Sequence, residues 1–117
     1  MRPPDKWTPT VTGPYSEKRT SPRFTFIATA EVIEPVSDTH LAGRVSEISK
    51  RGCYVDLLNT LPTDTPVRVR ITTDSGSFEC KGKVIYVQDR VGIGIAFEEP
   101  AADQLRTLDA WLTLLQG

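Results

Sequence analysis

The chain has 117 residues, 38% of them hydrophobic and 25% charged, with a formal net charge of -1. That is enough apolar chain for the core of one domain, and the charge excludes a protein that coats duplex nucleic acid, whose affinity rests on many phosphate neutralisations. No apolar run is long enough for a membrane helix, and "MRPPDKWTPT" lacks the apolar segment of a signal peptide, so the expected setting is the cytoplasm, with neither DNA nor membrane as partner.

From Met1 to Ser16 the chain holds Pro3, Pro4, Gly13, Pro14 and several threonines without a sustained period of two or 3.6. It reads as a flexible arm, residues 1–16, leading into one domain over residues 17–117. Trp7 and Tyr15 are its two large aromatics, able to dock on the body or on a partner. "EKRTSPRF" follows, with Lys18, Arg19 and Arg23 beside the first regular segment. Pro22 disfavours a helical conformation at Ser21, so the arginines belong to an extended or bent loop. A four-residue step spans at most about 13 Å, so two guanidinium forks could converge on one phosphate-bearing or planar ligand. A solvated basic lead-in is the other reading, and this stretch alone does not separate them.

Alternation then takes over. In "FTFIATAEVI", Phe24, Phe26, Ala28, Ala30 and Val32 share one face, opposite Thr25, Thr29 and Glu31. Pro35 to Asp38 reads as a turn, and in "HLAGRVSEIS" Leu41 and Val45 alternate with Arg44 and Ser46. "CYVDLL" resumes with Cys53, Val55 and Leu57 inward. "LPTDTP" separates it from "VRVRITT", with Val67, Val69 and Ile71 inward and Arg68 and Arg70 on the wet face. "DSGS" is a hairpin signal, "FECKGKVIYVQ" sets Phe78, Cys80, Val84 and Tyr86 against Glu79, Lys81 and Lys83, and "DR" turns the chain into "VGIGIAF". Six strands joined by short connections point to an all-β domain, a six-stranded antiparallel barrel. After Pro100 the period changes: Leu105, Leu108, Trp111, Leu112 and Leu115 form a helical stripe with Asp103 in the first turn, predicting a C-terminal helix packed on the barrel.

Catalytic constellations are thin. Cys53 and Cys80 have neither CxxC spacing nor a histidine cluster and read as small core hydrophobes. His40, the one histidine, stands at a turn with nothing to complete a metal site and reads as a surface residue. Ser49 lacks a GxSxG elbow. Gly92 and Gly94 lie inside a strand without the third glycine or the helix of a dinucleotide fingerprint, so they suit close backbone approach or curvature. No enzyme is expected, and no cofactor.

The segment "SEISKRGCYV" changes the weight of the arginines. Glu47, Ser49 and Gly52 form an acidic-x-Ser-x-x-Gly pattern where one strand ends and the next begins, downstream of Arg19-x-x-x-Arg23 and upstream of "GIGIAF". The pair, in that order and in an all-β setting, resembles the PilZ domain family, whose signatures are RxxxR and [D/N]xSxxG; the resemblance runs from about Glu17 to Leu115. It implies a six-stranded barrel with a terminal helix and a receptor for cyclic di-GMP. By position, Arg19 and Arg23 would hold its phosphates and guanines while the lead-in wraps over it. Ser49 would help hold it from the barrel, and Gly52 would allow the turn and leave it room. Lys18 would add charge suited to a stacked pair of ligands. The pattern departs from the family at Glu47, which stands where Asp or Asn is usual and whose extra methylene displaces the carboxylate by about a bond length. Arg51 adds a cation at the same rim, or is a solvated turn residue. The expected output is ordering of the arm, read by a downstream protein partner. The alternative is a degenerate PilZ-like interaction domain that ignores the nucleotide.

Overall fold

A computed structural model describes residues 23–116. Six strands, β1 (Phe24–Glu34), β2 (Thr39–Ile48), β3 (Gly52–Asp56), β4 (Pro66–Thr73), β5 (Gly76–Gln88) and β6 (Gly92–Glu98), are followed by one helix, α1 (Ala102–Gln116). Each strand pairs antiparallel with its neighbours in the order β1-β2-β3-β6-β5-β4, and β4 returns to β1 to close a barrel. The expected fold class is therefore the observed one. Closure leaves no row of unpaired backbone groups along an edge.

The alternation read from the sequence builds the interior. Val32, Val45, Val55, Val69, Ile71, Phe78, Val84, Ile93 and Ile95 are fully buried in one cluster. Cys53 and Cys80 are free thiols inside it. Burial pushes the Cys53 thiol far above its ordinary value and that of Cys80 up to about 11, so neither is a thiolate at neutral pH and both serve as packing.

Three irregularities depart from simple alternation. The pairing of β1 with β2 slips between Thr25 and Ala28, that of β2 with β3 between Val45 and Glu47, and that of β5 with β6 between Val84 and Tyr86. Strict alternation from Val45 would send Glu47 into the core. The extra residue, Ser46, instead leaves Glu47 on the outer face opposite Tyr54 and brings Ile48 inward opposite Cys53. Likewise, the expectation that Tyr86 points inward is corrected. Ile85 is the bulged residue, Tyr86 pairs with Gly94 on the outer face, and Val87 packs against the core. β3 is also shorter than "CYVDLL" suggests: it ends at Asp56, and Leu58 is exposed.

The helix closes one end. Its stripe buries Leu108, Trp111 and Leu112, with the Trp111 ring 5.4 Å from Phe26 at the start of β1 and 6.4 Å from Phe78 near the start of β5. Phe78 in turn lies 5.0 Å from Phe97 near the end of β6. The Gln104 side-chain oxygen accepts the Glu79 backbone N–H at 2.7 Å, tying the first turn of α1 to β5. At the other end the barrel carries only connections: the turn at 35–38, the loop at 57–65 and the turn at 89–91.

Candidate functional site

At the helix-plugged end, the sequence that carries the motifs becomes three adjacent strand termini. β1 begins at Phe24 opposite Ile48 and continues with Thr25 opposite Glu47. Half-buried Arg23 immediately precedes β1, and Ser49 immediately follows β2, at this same end of the paired strands. Glu47 lies in turn beside Tyr54 of β3. Of the sequence-predicted site residues, Arg23, Glu47, Ser49 and Gly52 thus gather within one corner of the barrel. Lys18 and Arg19 lie outside the described residues.

Ser49 is fully buried. Its backbone N–H donates to the Gly52 carbonyl at 2.8 Å, its hydroxyl donates to the same carbonyl at 3.4 Å, and the hydroxyl accepts the Arg51 N–H at 3.1 Å. A serine here satisfies backbone groups that a tight turn would otherwise strand, as Ser does in local side-chain-to-backbone motifs. Gly52 is required by a neighbour: a Cβ built on it would sit 2.2 Å from the Ile95 carbonyl oxygen, because β3 meets β6 here with Gly52 opposite Ala96. The Phe97 N–H, donating to the Arg51 carbonyl at 2.8 Å, locks the same turn to β6. The consequence is a rigid turn that lifts Lys50 and Arg51, both exposed, above the strand ends. The serine and the glycine are committed to building this turn, while the side chains that face outward from it are charged.

Beyond the turn lies a row the motifs do not mention. Thr25, Glu47, Tyr54, Gly94 and Tyr86 are successive cross-strand neighbours on the outer face of β1, β2, β3, β6 and β5. Tyr54 faces outward yet is fully buried. Its ring lies where a side chain on Gly92 would be, 2.8 and 2.9 Å from the position of a Gly92 Cβ, and its hydroxyl donates to the Gln88 side-chain oxygen at 2.6 Å. One tyrosine thereby spans β3, β6 and β5 and covers a glycine that would otherwise leave backbone bare. Burial first, then the nearby Asp56, Tyr86 and Glu47, raises its hydroxyl up to about 12, so it stays a neutral donor. The signal was present in the sequence: Tyr54 has outward parity between Cys53 and Val55, as do Gly92 and Gly94 between apolar neighbours. An outward aromatic opposite outward glycines marks a flat, closely packed stretch of the sheet's outer face.

His40, read as a surface residue, is exposed at the far end of β2. It is nevertheless held on both ring nitrogens, Nδ1 2.8 Å from Glu31 and Nε2 2.9 Å from Asp38. No group of three or more histidine, cysteine or carboxylate side chains suited to a metal occurs among the described residues, nor does a helix long and apolar enough to cross a membrane.

A closed six-stranded antiparallel barrel plugged by a C-terminal helix, with a Ser-Gly turn beside the start of the first strand, defines the class. The sequence profile of the PilZ domain matches residues 17–114, and the chain belongs to that family. Solved structures agree on the fold. The PilZ domain of CeSA from a cellulose-synthesizing bacterium superposes with a TM-score of 0.64 at 20% identity, over 83% of this chain and 100% of that one. The PilZ domain of YcgR from Escherichia coli, solved with c-di-GMP, gives 0.70 at 13% identity, over 86% and 92%. The Bacillus subtilis inhibitor of motility, MotI/DgrA, gives 0.70 at 16%, over 86% of this chain and 51% of that one. A comparison with curated protein sequences finds no match.

Proposed function

We propose that this chain is a cyclic di-GMP-binding regulatory module whose Arg-containing lead-in is ordered by the ligand and read by a partner protein. The observation that carries the reading is the convergence of Arg23, at the start of β1, with Glu47 and the Ser49–Gly52 turn at one corner of the barrel. Arg23, with Arg19 and Lys18 from the preceding segment, supplies the forked and point charges that phosphate and the guanine O6/N7 edge accept. Glu47, kept on the outer face by the bulge at Ser46, carries a carboxylate of the kind that accepts guanine N–H groups. Ser49 and Gly52 act mainly by setting the turn and its clearance. Proximity of a c-di-GMP-bound relative in fold, that of YcgR, supports the ligand class.

Isothermal titration of the purified chain with cyclic di-GMP tests it. Binding is expected, with a loss of about tenfold or more for Arg23→Ala and a larger one when Arg19→Ala is added, as charged hydrogen bonds contribute about 1.5–3 kcal/mol each. No heat at tens of micromolar nucleotide, or an unchanged response in the double variant, would sink the reading. Protection of residues 17–24 from proteolysis on nucleotide addition checks the ordering step. Glu47 favours keeping a second reading, a PilZ-like interaction domain indifferent to nucleotide. Glu47→Asp separates the two: a receptor binds as well or better, and a pure interaction domain stays silent.

A further inference from the structure

The end of the barrel away from α1 shows an arrangement that nucleotide binding does not use. The turn at 35–38, the loop at 57–65 and the turn at 89–91 all emerge there, since β1, β3 and β5 end and β2, β4 and β6 begin at that end. Five large hydrophobic side chains are exposed among the described residues, and three of them sit in these connections: Val36 at 90%, Leu58 at 80% and Val91 at 51% exposure. Scattered apolar residues on a surface need no explanation, but a set gathered on three converging connections does. Here Leu58 and Val91 border a recess of about 450 Å3 lined by His40, Asp56, Leu57, Leu58, Asn59 and Val91, among others, in the size range of ligand and anchor pockets. The recess has a firm wall: the Leu57 N–H donates to the Val91 carbonyl at 3.0 Å, joining two of the three connections. A second wall is His40, fixed between Glu31 and Asp38.

The charge around the recess decides its occupant. Glu34, Asp38, Asp56, Asp64 and Asp89 flank these connections, against His40, Lys83, Arg90 and an Arg44 that sits 3.7 Å from Asp56. Carboxylates outnumber cations even with His40 protonated. We propose that this end docks a protein partner through a segment carrying a large apolar side chain flanked by Lys or Arg, the apolar group entering the recess beside Leu57 and the cations meeting the acidic rim. Such a surface places partner contact at the pole opposite the nucleotide corner. It names the chemistry of the partner in the proposed function and rests on that reading for its role. The test below contains no nucleotide, so its failure leaves cyclic di-GMP binding standing, and a failure of nucleotide binding leaves the dock standing.

Backbone amide NMR of the chain, titrated with a short peptide of alternating Leu and Lys, with its Leu–Glu counterpart and with its Ser–Lys counterpart, gives the answer. Saturable shifts are expected at Leu57, Leu58, Asn59 and Val91 with the Leu–Lys peptide, with affinity about tenfold or more below it for each counterpart. Added salt is expected to weaken the interaction. Leu58→Ser combined with Val91→Ser, both at exposed positions and checked for an unchanged melting temperature, is expected to remove it. Equal shifts from the Leu–Lys and Leu–Glu peptides, shifts centred on the β2–β3 turn instead, an unaffected double variant, or a recess that responds to small apolar molecules and to none of the peptides would each overturn the proposal.

Discussion

The two ends of this barrel are built on different physical terms. At the plugged end, order comes from backbone closeness and aromatic packing: Gly52 against the Ile95 carbonyl, Ser49 closing its own turn, and Trp111 against Phe26 and Phe78. At the open end it comes from exposed polar pairings, with Glu34 accepting the Val36 and Ser37 N–H groups at 2.9 Å and the Ser37 hydroxyl, and with His40 between two carboxylates. The comparison teaches that the turn and plug residues of the motif-bearing end, Ser49, Gly52 and Trp111, cannot vary without endangering the fold, whereas the opposite end can change its exposed apolar side chains with little effect on stability.

Substitutions can break that contrast in order of size. Trp111→Ala should destabilise most, by about 3–5 kcal/mol, since it removes the aromatic plug and leaves a cavity over Phe26 and Phe78; the chemical denaturation midpoint reads it. Gly52→Ala should follow at about 3 kcal/mol, at the upper end of overpacking, because the clashing atom is backbone and cannot swing away; the same measurement checks it. Ser49→Ala should lose about 1–2 kcal/mol through the unsatisfied turn. A cost for Leu58→Ser rivalling any of these would erase the distinction between the ends; the expected change is within about 0.5 kcal/mol.

pH separates the ends further. Hydrogen bonds to Glu31 first and Asp38 second raise the His40 pKa above its ordinary 6.5. A raised folded value means that the imidazolium stabilises the fold fully below the unfolded pKa, and the contribution is lost as pH rises through the folded one. Melting temperature should therefore fall across that interval in the native chain, and His40→Gln should flatten this component. At the plugged end Ser49, Gly52 and Trp111 carry no titrating group, so variants there should keep the native slope.

The sequence reveals the strands and helix because alternation and helical period are local patterns, and each of Phe24 to Val32, Val67 to Ile71 and Leu105 to Leu115 shows one cleanly. Bulges are less visible. Ser46 and Ile85 are ordinary strand residues, and only the requirement that Ile48 and Val87 reach the core reveals that each absorbs an extra position. Without those bulges Glu47 and Tyr86 are assigned to the wrong face. At the site, the motif spacing located the corner where Arg23, Glu47, Ser49 and Gly52 meet, but not the internal engagement of the Ser49 hydroxyl, which depends on the turn's own carbonyl and N–H. Tyr54 does not stand out in the sequence, because its partner glycines come from a strand nearly forty residues downstream. The charged chain of Arg68, Glu79, Arg70 and Glu31 along β4, β5 and β1 shows in the sequence only as wet-face alternation, because its members meet across three strands.

Barrel closure also sets how this chain must fold. The pairings of β1 with β2, β2 with β3, β4 with β5 and β5 with β6 are local, but the seams between β1 and β4 and between β3 and β6 join distant residues, with Thr29 meeting Thr72 across a separation of 43. Neither hairpin group buries its apolar face until both seams form, so loop-closure entropy is spent before most of the core is gained. Refolding should accordingly occupy milliseconds to seconds, the range of nonlocal β topologies, with the seams as its slow event.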